Sequence, residues 1–153
     1  DVDNDKSNEL VASINGDLEL EIPLKIKKYE FIDGKFVGKI LAEFNDDAAR
    51  TMAIGDLDND GKNELLIGTK SMGLKYLKGS EWKDIDSELP NVHSVAIGNV
   101  DKDADNEVIA SSDDLSLVNM YKFKNNKWEK KTLLELPKDY WVWSIDIGNA
   151  DND

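Results

Sequence analysis

Three features of this sequence predict an all-β fold. One acidic signature recurs at four places; the residues between recurrences form short apolar or alternating runs rich in β-branched and aromatic side chains; and Gly, Asn and Asp punctuate those runs. Helix signals are nearly absent. The copies read DVDNDKSNELVAS from Asp1, AIGDLDNDGKNELLIGT from Ala53, AIGNVDKDADNEVIAS from Ala96 and DIGNADND from Asp146. Their first acidic positions, Asp1, Asp56, Asn99 and Asn149, lie 55, 43 and 50 residues apart, which gives three units and the opening of a fourth.

The second unit sets the pattern for the others. It predicts a strand over Thr51–Gly55, an acidic loop over Asp56–Asn63, and strands over Glu64–Thr69, Gly73–Leu77 and Trp82–Leu89. The third unit repeats this as Ser94–Gly98, loop, Glu107–Ser111, Leu117–Phe123 and Trp128–Leu136. In the first unit the strands fall at Leu10–Ile14, Leu24–Phe31 and Phe36–Phe44, with the opening strand missing. Four antiparallel strands in a unit of about 40–50 residues is the arithmetic of a β-propeller blade. The units are then 1–49, 50–91 and 92–140, with 141–153 starting the next inner strand and loop.

Three blades do not close a ring, because propellers carry about 4–8. The chain lacks the inner strand of its first unit and ends with a spare one at Trp143–Asn149. Two closures follow: a head-to-tail homodimer of six blades, or a longer native chain of which this is a part.

With 19 basic and 32 acidic residues the net charge is −13, an excess that repels phosphate backbones and argues against nucleic acid and anionic membranes. A cation is the expected partner. The chain has no cysteine, which removes disulfides, thiolate zinc sites and cysteine nucleophiles. No apolar run approaches the roughly 18 residues of a membrane span, and no leader pattern is present at Asp1, so no membrane insertion is expected.

In the second loop Asp56, Asp58 and Asp60 alternate with Leu57 and Asn59, followed by Gly61 and then Glu64 at position nine. Alternating carboxylates on a tight loop turn their oxygens inward, the hard-oxygen shell that Ca²⁺ takes with six to eight ligands. Lys62 at position seven supplies its backbone carbonyl in this reading. The other copies keep the oxygens: Asp1, Asp3, Asp5, Ser7 and Glu9, then Asn99, Asp101, Asp103, Asp105 and Glu107, with Asn149, Asp151 and Asp153 in the truncated fourth. Lys6 and Ala104 replace the turn glycine, a cost of about 1 kcal/mol where φ must be positive. The Asp56–Glu64 loop is therefore expected to bind most tightly. An EF-hand is excluded, because position twelve is Ile67 rather than a bidentate glutamate and the flanks read as strands. Clustered carboxylates repel, so metal binding is expected to be coupled to folding.

These segments, AIGDLDNDGKNELLIG and its relatives, resemble the FG-GAP/VCBS-type repeats of integrin-α-like calcium-binding β-propellers over essentially the whole chain. The resemblance implies a blade whose innermost strand runs into the calcium loop, with Ser7, Lys62 and Asp105 at backbone-carbonyl positions. It also implies an extracellular or cell-surface module for adhesion or recognition of a protein or glycan ligand. Some such propellers sit beside catalytic domains in polysaccharide-degrading proteins, so the alternative is the propeller region of a polysaccharide lyase or hydrolase.

The residues just before each inner strand are Arg50, His93 and Trp143, three different side chains at one repeated position. On a repeated scaffold such variation suits a ligand-binding rim, at the end away from the acidic loops. Trp141 and Trp143 beside Tyr140 could stack on a sugar or peptide, although packing between units is the expected role; Trp82 and Trp128 recur at one place and are expected to pack between blades. Lys25, Lys27 and Lys28 read as a solvated strand edge. No G-x-S-x-G elbow, phosphate loop or histidine pair for zinc is present, which favours a noncatalytic module.

Overall fold

A computed structural model describes residues 1–15, 22–45, 47–101 and 103–148. Eleven strands and no helix occur among them, in chain order β1 Leu10–Ile14, β2 Leu24–Ile32, β3 Lys35–Phe44, β4 Ala49–Gly55, β5 Glu64–Thr69, β6 Leu74–Lys78, β7 Glu81–Asp86, β8 Val92–Gly98, β9 Glu107–Ser112, β10 Leu117–Lys124 and β11 Lys127–Glu135. They form three antiparallel meanders, β1-β2-β3, β4-β5-β6-β7 and β8-β9-β10-β11. All eleven strands were expected from the sequence, with ends displaced by one to three residues. Hairpin chemistry fixes the turns: Asp33-Gly34 and Asn125-Asn126 adopt paired positive φ (50° and 80°, 51° and 61°), the conformation that matches the twist of a two-residue hairpin.

The sheets stack face to face through three apolar layers, and strand alternation decides which side chain enters which layer. Leu65 and Ile67 of β5 point toward the first sheet, where they meet Leu24, Ile26 and Ala49. Leu66, between them in sequence, joins Leu74, Tyr76, Val92, Val95, Val108, Ala110 and Tyr121 on the side of the third sheet. The middle sheet is thus covered on both faces, which explains the unbroken apolar run Leu65–Ile67 where a half-buried strand would alternate. Trp82 packs edge-on against Phe44 at 5.4 Å and Trp128 against Tyr76 at 5.7 Å, both between sheets as expected.

The recurring Ile-Gly dipeptide that ends each inner strand also has a physical cause. β8 lies beside β4, and a Cβ at Gly55 would sit 3.2 Å from the Ile97 side chain; one at Gly98 would sit 3.0 Å from that of Ile147. The glycine of one unit makes room for the isoleucine of the next.

The expected inner strand at Trp143–Asn149 is a correction. Residues 141–147 make no strand ladder, and Asn149 lies outside the described residues. Val142, Ile145 and Ile147 nevertheless cover Ile109, Val118 and Met120 on the outer face of the third sheet. Two hydrogen bonds fix the segment, from Ile145 N–H to Ser94 Oγ at 2.9 Å and from Ser111 Oγ to the Val142 carbonyl at 3.1 Å. A ladder needs a partner, and within these residues no second strand remains to pair with it.

Candidate functional site

β4 and β8 each deliver the chain into an acidic loop, a further such loop precedes β1, and hydrogen bonds between Asn4 and Asn63 and between Asn59 and Asn106 hold the three loops side by side. One oxygen of each ninth-position glutamate is tied down: Glu9, Glu64 and Glu107 Oε2 accept the backbone N–H of Val2, Leu57 and Val100 at 2.8, 3.2 and 3.0 Å. The seventh-position N–H groups of Ser7, Lys62 and Asp105 donate to the carboxylates of Asp5, Asp60 and Asp103 at 2.8, 3.0 and 2.9 Å. These bonds fold the loops around their own side chains. Ligand-type oxygens then come within 4.8 Å of one another in three groups: Asp1, Asp3, Asp5 and Glu9; Asp56, Asp58 and Glu64; Asp101, Asp103 and Glu107.

Three of these oxygens are buried without a hydrogen bond, Asp1 Oδ1, Glu9 Oε1 and Asp58 Oδ1, whereas Glu107 Oε1 has Lys122 Nζ at 2.7 Å. Burial pushes the Glu64 carboxyl up to about 7, with Asp58 adding repulsion, against the opposing pull of the Leu57 N–H and of Lys78. Uncompensated buried carboxylates are costly, and a hard divalent cation is the partner that removes the cost. The donor set therefore fits calcium: oxygen only, several carboxylates, and turn backbone at position seven.

The loops differ at the expected glycine position. Gly61 has φ +86° and Lys6 φ +77°, so the first loop carries the expected strain; Ala104 does not have a positive φ, and the expected cost there does not apply. Asn99 donates through Nδ2 to the Asp103 carbonyl, whereas Asp56 accepts the N–H groups of Asp60 and Gly61 at 3.0 and 2.9 Å. The fourth-loop residues Asn149, Asp151 and Asp153 lie outside the described residues.

Two features escaped the sequence reading. First, asparagines clasp successive loops together. Asn63 N–H donates to Asn4 Oδ1 at 2.8 Å, Asn4 Nδ2 donates to the Asn63 carbonyl at 3.1 Å, and Asn63 Nδ2 donates to the Asp1 carbonyl at 3.0 Å. Asn59, Asn106 and the Asp56 carbonyl repeat this at 2.7, 3.2 and 2.8 Å. The recurrence of Asn at positions four and eight was the available signal. Second, a lysine from the third strand of each unit reaches into each loop. Lys78 bonds Asp58 and, at 2.7 Å, Asp60; Lys122 bonds Asp103 and lies 2.9 Å from Asp101 and 2.7 Å from Glu107; Lys28 bonds Asp3 and lies 2.6 Å from Glu30. Asp3, Asp60 and Asp103 are held below the ordinary carboxylate range chiefly by these lysines. Lys28 is only 6% exposed, so its expected place on a solvated edge is corrected: its ammonium is drawn inward by Asp3 and Glu30.

At the opposite end, Arg50, His93 and Trp143 do come together. β-Bulges interrupt the ladders at Arg50 and His93, between Ala49 and Thr51 and between Val92 and Ser94, and turn both side chains out of the alternation. His93 Nδ1 lies 2.6 Å from Asp113 Oδ2 and 3.5 Å from Arg50 Nη1, and its ring meets Trp143 edge-on at 4.6 Å. Asp113 was not foreseen, since it belongs to a turn twenty residues away. Trp141 and Trp143 are 57% and 68% exposed, against the expectation that they fill an interface. The segment's branched side chains take the buried positions, leaving the indoles outside. No protein-family model matches this chain, and no curated protein matches it.

Proposed function

We propose that this chain is a calcium-stabilised recognition module built from β-propeller blades of the FG-GAP/VCBS type, working outside the cell or on its surface. The observation that carries the reading is the threefold recurrence of an inward-facing carboxylate group, with buried oxygens lacking hydrogen bonds in the first two, at one end of three stacked sheets. Calcium is structural here: it neutralises each loop and locks the turn into the adjoining strands, so ion binding adds to folding free energy. By sequence position Asn149, Asp151 and Asp153 are counted as a fourth loop of the same kind. A protein or glycan ligand engages the other end, through Arg50, His93 and the exposed face of Trp143.

Extracellular calcium modules bind at about 10⁻⁴–10⁻³ M, which suits a calcium-rich exterior. The apolar outer face of the first sheet, with Leu10, Ile14, Phe31 and Phe36 exposed, supports ring continuation past this edge, by a second copy head to tail or by further units.

Thermal unfolding and light scattering, each with calcium and with chelator, test the reading together. A calcium-dependent rise in melting temperature is expected; a doubled mass identifies the homodimer and a monomer mass a longer native ring. Absence of any calcium response overturns it. Turnover of a polysaccharide by the chain would replace recognition with a lyase or hydrolase role.

A further inference from the structure

The lysines in the acidic loops are not placed alike, and the difference is one of strand register. One step beyond the paired residues Leu65 and Leu77, Glu64 faces Lys78; one step beyond Val108 and Tyr121, Glu107 faces Lys122. One step beyond Leu10 and Tyr29, Glu9 faces Glu30, and Lys28 stands two residues away on the same face. The second and third loops therefore carry a directly opposed ammonium, whereas the first carries an extra carboxylate there. Lys122 is nearly enclosed, its side chain 5% exposed, with Asp101, Asp103 and Glu107 around its Nζ. Lys78 joins Asp58 and Asp60 in the same manner with a third of its side chain open to water.

We propose that Lys78 and Lys122 are tethered counter-cations, which hold the second and third loops folded when no divalent ion is bound and which an incoming ion must displace. Lys122 already contacts all three carboxylates of its loop's oxygen group and Lys78 contacts Asp58 of its own, and one oxygen shell of this size does not hold both cations. A flexible four-carbon stem lets the lysine swing out to solvent once replaced. The loops consequently fill in order. The first, where Lys28 meets only Asp3 of the gathered Asp1, Asp3, Asp5 and Glu9, binds tightest; the second sets four carboxylates against Lys78, and the third sets three against Lys122. This replaces the sequence-based ranking that put Asp56–Glu64 first. The inference rests on the calcium reading above, and it predicts opposite signs for two measurements on one variant.

The test compares the full chain with Lys78→Met, Lys122→Met and the control Lys75→Met, whose ammonium pairs only with Asp84 on the same sheet. Each is melted in chelator and titrated with calcium by isothermal calorimetry. Lys78→Met and Lys122→Met are expected to melt lower in chelator yet to bind calcium about tenfold more tightly at the altered loop. Lys75→Met is expected to match the parent in both. If Lys122→Met folds only with calcium present, displacement is upheld in its strongest form, and Lys78→Met, at the more open site, carries the affinity measurement. Unaltered or weaker calcium binding by Lys78→Met overturns the proposal while leaving calcium in place. No heat and no melting shift in any of the four proteins overturns calcium itself, a distinguishable failure.

Discussion

The two ends of these sheets obey different rules. At the loop end a glutamate tied to the second-position N–H and a turn N–H on the fifth-position carboxylate each recur three times, and two asparagine clasps join the neighbouring loops. At the rim end one backbone position holds arginine, histidine and tryptophan in succession. Repetition belongs to what every unit needs in order to fold, and variation to what only the assembled surface can use. The uniform end stores stability; the varied end is free to change.

The largest effect that could break this contrast is at Glu107, a fully buried carboxylate. Glu107→Ala removes the acceptor of Val100 N–H and one partner of the enclosed Lys122, and should cost about 3–5 kcal/mol in urea unfolding. A loss below 1 kcal/mol would show that the ninth position is not structural.

Next comes the pin between the second and third sheets. Tyr121 Oη donates to Asp86 Oδ2 at 2.8 Å, and Lys130 reaches the same oxygen at 2.8 Å. Burial opposes ionisation of Asp86, yet these two donors outweigh it and hold the carboxyl below its ordinary 3.8. A lowered carboxyl stabilises the fold above pH 3.8, and that contribution is lost as pH falls through the depressed value. Tyr121→Phe should cost about 1–3 kcal/mol near neutrality and shrink the acid-induced loss below pH 4, measured by denaturation at a series of pH values. An unchanged acid limb would remove the pin from the account.

A smaller loss is expected at the clasp. Asn59→Gly keeps the positive φ of 60° but deletes both side-chain bonds to Asn106, for about 1–2 kcal/mol. Smallest is the rim: Arg50→Ala and Trp143→Ala should shift stability by about 0.5 kcal/mol or less. Their effect should fall on binding of the native ligand, and a cooperative loss of fold instead would place the rim with the loops.

Strands and acidic loops were legible in the sequence because the repeat superimposes three imperfect signals into one strong one. Contacts set by register between strands were not. Lys78 and Lys122 lie fourteen and fifteen residues after the glutamates they face, across turns of different length, and Lys28 looked like one of three lysines on a solvated strand. Asp113 reaches His93 only once the third sheet is folded. The missing strand at 143–149 failed for a different reason: local propensity cannot make a ladder with one strand.

The asparagine clasp has a consequence for how such a chain grows. Asn59 faces Asn106 ahead and Asn63 faces Asn4 behind, so the second unit carries both halves of the joint. A duplicate of residues 50–91 spliced after itself would meet its own complement, and the Ile-Gly contact would recur between the copies. The third unit has Lys102 at position four, so a duplicate of it would find no matching half. The middle unit is a keyed brick that can be laid against itself, and the third carries one half of the key.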